Sequence, residues 1–147
     1  MGQAIHKLTN NVNQSDKMNT PHKLLIIDDN KEILSALKDF FTRKSYEVFS
    51  AADGLEGLKI LETEQHGFDL VITDMTMPKI TGDRLARRLM DINPQIPVIL
   101  CTGFNEAINE EKALAMGIDK FVMKPIVKNE LADTIRAVLD NPKSLPN

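Results

Sequence analysis

Reactive or metal-binding side chains follow four short apolar runs in this chain, each at the point where the run ends. Asp28 and Asp29 follow the first of these runs, Asp74 the second, Thr102 the third and Lys124 the fourth. Runs rich in branched apolar residues are typical of strands buried on both faces of a parallel sheet. Since functional groups in open α/β sheets collect beyond the carboxyl ends of the strands, we expect these side chains to meet at one edge.

Three carboxylates brought together in this way require positive charge nearby. Two like charges 4 Å apart repel by about 4 kcal/mol at an effective dielectric near 20. Lys124 can neutralise one of Asp28, Asp29 and Asp74, which leaves a surplus that a divalent cation would balance. No His or Cys lies beside these acids, so zinc is disfavoured, and oxygen ligands favour Mg²⁺, with Mn²⁺ as a second possibility.

Asp74 has the most open approach among these acids, because its following loop is punctuated by Pro78 and Gly82. A carboxylate can attack phosphorus and form an aspartyl phosphate. The ammonium of Lys124 and the hydroxyl of Thr102 would stabilise the charge on the transferring phosphoryl group. The alternative for any single acid is a plain structural role, since an Asp after a strand is often only a helix N-cap.

Strands and helices alternate five times between the polar ends of the chain. The pattern predicts a three-layer α/β sandwich with a parallel sheet and right-handed crossovers. The less apolar second strand, residues 46–51, suits an edge. The first expected helix follows Asp29 and Asn30, the second begins near Asp53 and Gly54, and the third stops before Pro94. The fourth runs over residues 106–116, and the fifth carries the last apolar spacing, at residues 131–139. Their apolar positions include Leu55, Leu58 and Leu61 in the second helix and Leu85, Leu89 and Ile92 in the third.

Composition limits the classes of function that the chain can have. It has 147 residues, 42% hydrophobic and 27% charged, with a net charge of −3, which suits one soluble globular domain. No basic face is visible, so direct nucleic-acid binding is disfavoured. The single Cys101, expected to be buried, excludes an internal disulfide and indicates a reducing compartment. Without a long apolar stretch or a signal peptide, we expect no membrane insertion and a cytoplasmic location.

The two ends of the chain differ in composition from its centre. Residues 1–21 are polar and without a period, so we expect a flexible tail or linker. Residues 22–141 are expected to form the folded domain. Residues 142–147 are expected to be a disordered C-terminal end.

The residues at the strand ends carry a specific family resemblance. Over about residues 23–140 the chain resembles the response-regulator receiver domain of two-component and phosphorelay signalling. The matching motifs are Asp28-Asp29, Asp74 with Pro78 and Gly82, Thr102-Gly103, and the segment Phe121-Val122-Met123-Lys124-Pro125. The resemblance implies a flavodoxin-like (βα)5 fold with strand order 2-1-3-4-5. It also implies that Asp74 accepts a phosphoryl group from a histidine kinase or a histidine phosphotransfer protein.

The resemblance also assigns ligands to the metal. It implies that Asp29 and Asp74 bind Mg²⁺ directly, that Asp28 acts through a water molecule, and that the backbone carbonyl of Thr76 is a further ligand. It implies a cis peptide bond at Lys124-Pro125. The activity would be that of a signalling phosphoacceptor, limited to self-catalysed phosphotransfer and autodephosphorylation, and not that of a separate enzyme.

Phosphorylation is expected to change the surface of the domain through Thr102 and Phe121. Phe121 occupies the place of the family's switch aromatic, and its inward movement behind Thr102 would alter the face built by helix four, strand five and helix five. A plain core aromatic is the alternative for Phe121. The resemblance implies that Thr76 and Phe104 occupy the positions that the family uses to tune loss of the phosphoryl group. Neither offers an amide or an acid, which predicts an acyl phosphate that is not among the fastest to hydrolyse.

The expected partners are a phosphodonor, which the family commonly receives at helix one near Pro125 and Ile126, and a downstream effector protein. We expect a monomer or a weak phosphorylation-dependent dimer. The domain could be free-standing or cut from a hybrid sensor kinase.

Three other interpretations of the sequence are a haloacid-dehalogenase-type phosphohydrolase, a flavodoxin-like cofactor carrier and an interaction module that is never phosphorylated. The first lacks its Asp-x-Asp motif here, the second would place Asp28 and Asp29 against its phosphate, and the complete acceptor set disfavours the third.

Overall fold

A five-stranded parallel sheet forms the centre of the computed structural model, which describes residues 21–63, 67–103 and 110–141. The strand order is β2-β1-β3-β4-β5, with every neighbouring pair parallel. This order confirms the predicted flavodoxin-like fold and places β2 at an edge. The strands are Lys23–Ile27 (β1), Glu47–Ala51 (β2), Leu70–Asp74 (β3), Val98–Thr102 (β4) and Lys120–Met123 (β5).

Helices cover both faces of the sheet and make the predicted three layers. They are Lys31–Arg43 (α1), Gly54–Thr63 (α2), Gly82–Ile92 (α3), Glu110–Ala115 (α4) and Lys128–Asp140 (α5). Side chains alternate along each strand, so β1 sends Leu24 and Ile26 into one core cluster and Leu25 and Ile27 into the other. The first cluster lies under α1 and α5, and the second lies under α2, α3 and α4.

Two residues expected on apolar helix faces are instead exposed, Leu55 at 47% and Ile92 at 50%. In α2 the helix approaches the sheet closely at Gly57, where a Cβ would lie 2.5 Å from Cδ1 of Ile27. The close glycine face turns Leu55 outward while Leu58 stays buried. Ile92 is the last residue of α3, beyond the part of the helix that covers the sheet.

Several predictions concern residues that the structure does not describe. The expected helix over 106–116 is described only from Glu110, and Phe104 lies outside the described residues. The same holds for residues 1–20 of the expected tail and for the end at 142–147. In the part of the chain that the structure describes, none of the helices has the length and apolar character needed to cross a bilayer.

Candidate functional site

Three carboxylates come together at the carboxyl edge of the sheet. Asp28 and Asp29 follow β1, and Asp74 is the last residue of β3, the strand that pairs with β1. One oxygen from each of the three side chains lies within 4.8 Å of the others. Parallel pairing in register explains the cluster, because Ile27 and Thr73 are partners and Asp28 and Asp74 come directly after them.

Asp28 and Asp74 are almost fully buried, each 3% exposed, whereas Asp29 is exposed. Burial raises the pKa of the Asp28 carboxyl, and the neighbouring charge of Asp29 raises it further. A hydrogen bond from the backbone N–H of Asn30 to Oδ1 of Asp28, 2.8 Å long, and the charge of Lys124 both oppose that rise in pKa. The raised pKa therefore reflects mainly the burial of this carboxyl away from water.

Lys124 supplies a positive charge to this cluster. Its Nζ lies 2.5 Å from Oδ1 of Asp74. The lysine follows β5 directly, and its backbone N–H donates to the carbonyl oxygen of Thr102 at 2.8 Å, which fixes its backbone beside the end of β4. The Lys124–Pro125 peptide bond is cis, in agreement with the resemblance. An ammonium held against a buried carboxylate can remain close to a phosphoryl group formed there.

Thr102 and Cys101 form the end of β4 beside Asp74. Thr102 is fully buried, and its hydroxyl donates to the carbonyl oxygen of Gly103 at 3.4 Å. Cys101 pairs with Asp74 across the strands and is also buried, as predicted. Burial, followed by the charge of Asp74, raises the pKa of the Cys101 thiol to about 12. The thiol is therefore a core group, and the hydroxyl is the polar group that β4 offers to this edge.

The loop after Asp74, residues 75–81, is packed tightly and is called the acceptor loop below, after the predicted role of Asp74. Met75, Met77 and Ile80 are buried in it, and Thr76 is exposed. The backbone N–H of Gly82 donates to the carbonyl oxygen of Met75 at 2.7 Å and closes the loop. A Cβ at Gly82 would lie 2.2 Å from the carbonyl oxygen of Asp74, which explains why this position needs glycine.

Asn30, and neither of the two acids that follow β1, caps α1. Its side-chain oxygen accepts from the backbone N–H groups of Glu32 at 3.0 Å and Ile33 at 3.1 Å, so Asn30 is the N-cap of α1. Asp28 and Asp29 are therefore available to the carboxylate cluster. The predicted switch aromatic, Phe121, is half-buried on β5 and packs against the core cluster under α2, α3 and α4.

The sequence did not reveal one ion pair beside the site. Lys79 in the acceptor loop lies with its Nζ 3.3 Å from Oδ2 of Asp53, which precedes α2. Asp53 was recognisable as a helix start, because an acid before Gly54 suits an N-cap. Nothing in the spacing of the two residues indicated that they would meet.

Comparison with known proteins identifies the family. Residues 24–136 match the model for the response regulator receiver domain. The chain belongs to this family. The receiver domain is 38% identical over 116 residues to the transcriptional regulatory protein AfsQ1 of Streptomyces coelicolor, covering 79% of this chain and 50% of that protein. It is 27% identical over 120 residues to the chemotaxis protein CheY of Treponema pallidum, covering 81% of this chain and 83% of that protein.

Solved structures agree with this assignment. A response regulator receiver domain protein from Clostridium thermocellum aligns with a TM-score of 0.76 and 33% identity, covering 81% of this chain and 94% of that one. The chain spans about half the length of several transcriptional regulators that it matches, between 46% and 50%. The comparison therefore establishes a receiver domain of the two-component response regulators, and the transcriptional role belongs to those longer proteins.

Proposed function

We propose that this receiver domain takes a phosphoryl group from a phosphohistidine donor onto Asp74 in a Mg²⁺-dependent reaction. The observation that carries the proposal is the cluster of carboxylate oxygens within 4.8 Å of one another, with the Lys124 ammonium against Asp74. The phosphorylated state then favours a different arrangement of the surface formed by α4, β5 and α5, which a partner protein reads.

The donor set suits a hard divalent cation. Asp28, Asp29 and Asp74 offer only oxygen, and the Lys124 ammonium that contacts Asp74 brings one positive charge to three carboxylates. We assign Asp29 and Asp74 as direct ligands, Asp28 as a ligand through water and the Thr76 carbonyl as a further ligand, with Mg²⁺ favoured and Mn²⁺ possible. When bound, the cation would neutralise the surplus charge and attract the oxygens of the transferring group.

The chain's own residues account for the transfer step. A carboxylate oxygen of Asp74 attacks phosphorus, the nitrogen–phosphorus bond of phosphohistidine breaks, and its electron pair stays with the imidazole. Lys124 stabilises charge on the phosphoryl oxygens, and the Thr102 hydroxyl turns toward them as a donor. Carboxylate attack needs no general base, so the absence of a His from this group of residues presents no difficulty.

A cleft beside the site supports a protein donor. It has a volume of about 230 Å³ and lies between α1 and the segment after β5. Its lining is mainly apolar, with lysines at residues 124 and 128, and comprises Ile33, Ala36, Leu37, Lys124, Pro125, Ile126 and Lys128. A helix of a histidine kinase or a histidine phosphotransfer protein could place an apolar side chain here while its phosphohistidine faces Asp74.

Exposed apolar residues around α4, β5 and α5 support an output surface there. Leu114, Met123 and Val127 are between 42% and 50% exposed on or beside α4, β5 and α5. We propose that movement of Thr102 toward the phosphoryl group lets Phe121 turn inward and changes this surface. A downstream effector would bind there, or a second copy would in a weak phosphorylation-dependent dimer. We place the domain at residues 22–141 and its work in the cytoplasm.

Incubation with acetyl phosphate and MgCl₂, followed by intact-mass measurement, tests the proposal. We expect one phosphate adduct per chain, lost in Asp74→Asn and retained in Asp39→Asn, which removes an exposed acid of α1. An adduct that persists in Asp74→Asn, or one that forms equally with EDTA, would refute it. Repeated turnover of a simple phosphate ester would instead favour a phosphohydrolase.

A further inference from the structure

Asp53 contacts both the start of α2 and the acceptor loop. Its Oδ1 accepts from the backbone N–H of Glu56 at 2.8 Å and caps α2, while its Oδ2 lies 3.3 Å from Nζ of Lys79. Both contacts hold the pKa of Asp53 below its usual value, the bond from Glu56 being the larger cause. One carboxylate therefore joins the start of α2 to the acceptor loop.

Backbone packing at the same junction is close. A Cβ at Gly54 would lie 2.1 Å from Cγ2 of Ile80, so the start of α2 fits against the loop with no space for a larger residue. Ile80 is 8% exposed. Lys79 itself has φ of 75°, a left-handed conformation that residues with a side chain rarely adopt. A residue in that conformation needs support from its surroundings.

We infer that Asp53 and Lys79 are positioning residues that hold the acceptor loop in its Mg²⁺-binding conformation. Lys79 lies three residues after Thr76, whose carbonyl the proposed function makes a metal ligand, and five residues after Asp74. The inference rests on that proposed function. The pair acts through the loop, because neither side chain belongs to the carboxylate cluster itself.

Two substitutions separate this positioning role from helix capping and from backbone strain. Asp53→Asn keeps a good N-cap and removes the negative charge. Lys79→Asn removes the ammonium, and asparagine is a residue type that adopts a positive φ readily. Exposed ion pairs contribute little, so we expect each change to weaken Mg²⁺ binding by about two- to fivefold. The double variant should lose no more than either single one, since both changes break the same contact. Asp39→Asn, which breaks an exposed 2.9 Å pair with Arg43 on α1, is the matched control.

The measurements are Mg²⁺ affinity by NMR titration and amide hydrogen exchange over residues 75–82, with MgCl₂ as the probe. Exchange in that loop should be faster in both variants and unchanged in the control. At 1 M NaCl the difference in Mg²⁺ affinity from wild type should shrink towards zero, because salt screens an exposed pair. A variant that matches the control, or losses that add in the double variant, would overturn the inference.

Phosphorylation of the same samples distinguishes the two proposals. If wild type binds Mg²⁺ but gains no phosphate, the proposed function is refuted and the positioning role is still decided by affinity and exchange. If wild type is phosphorylated and both single variants match the control in Mg²⁺ affinity and exchange, the positioning role alone is refuted. A wild-type chain that binds no Mg²⁺ refutes both.

Discussion

Replacing Asp28 by Asn should stabilise the domain when no divalent cation is present. Asp28 is 3% exposed, and its oxygens approach those of Asp29 and Asp74 within 4.8 Å. At that separation each pair of charges repels by about 3.5 kcal/mol with an effective dielectric near 20. Asparagine keeps the shape and the oxygen that accepts from the Asn30 N–H, and it removes the buried charge.

The net gain is smaller than the repulsion alone, because the substitution also loses the attraction between Asp28 and Lys124 and because Asp29 is exposed. We expect the free energy of unfolding to rise by about 1–2 kcal/mol in EDTA at pH 8, or about 4–8 °C in Tm. The free energy of unfolding of wild type should rise by about 1.4 kcal/mol for each tenfold increase of Mg²⁺ above its Kd, and that of the variant should rise much less.

The pH dependence has a defined sign. The pKa of Asp28 is higher in the folded than in the unfolded state, so the folded state binds more protons between the two values. Stability of wild type in EDTA should therefore fall as pH rises from about 4 through the raised pKa, and Asp28→Asn should lack that part of the fall. Urea denaturation at several pH values, with Asp39→Asn as control, measures this. A variant that is less stable than wild type in EDTA would refute the electrostatic reasoning.

Three further outcomes follow from contacts in the structure. Gly82→Ala should lower the free energy of unfolding, measured by urea denaturation, by more than about 2 kcal/mol and should fail to accept phosphate, because its Cβ would lie 2.2 Å from the carbonyl oxygen of Asp74. A stable, active variant would show that the loop is loosely packed. Asn30→Ala should lower the free energy of unfolding by about 1 kcal/mol and Asn30→Asp should lower it little, since Asp is as good an N-cap for α1 as Asn. Equal losses in the two variants would contradict the capping role. Cys101, with a pKa of about 12, should react with a thiol reagent at pH 8 only after urea is added; fast labelling of the folded chain would contradict its burial.

The sequence predicted the sheet and its acidic edge because both depend on short-range patterns. Each strand is a compact apolar run, and the chemical residue comes directly after it, so parallel alignment alone brings Asp28 and Asp74 together. The roles assigned to Thr76 and Phe121 depended on the family resemblance and stay predictions. No pattern in residue type separates a switch aromatic such as Phe121 from a half-buried core residue.

The features that sequence reasoning missed depend on contacts between segments far apart in the chain. Asp53 and Lys79 are 26 positions apart and meet only because α2 and the acceptor loop pack together. The exposure of Leu55 has the same origin, since Gly54 and Gly57 let the helix approach closely and set its rotation. Helical periodicity cannot reveal such contacts, because it records only which residues share a face.

Under the proposed function, the position of Lys124 would link a charge on Asp74 to the ends of β4 and β5. Its ammonium contacts the acceptor carboxylate, while its backbone N–H holds the carbonyl oxygen of Thr102. The strand that precedes Lys124, β5, carries Phe121, which packs against the core cluster beneath α2, α3 and α4. Under the proposed function, we expect a phosphoryl group on Asp74 to add charge beside the bond that joins the ends of β4 and β5, and a shift of either strand end to change the position of Phe121.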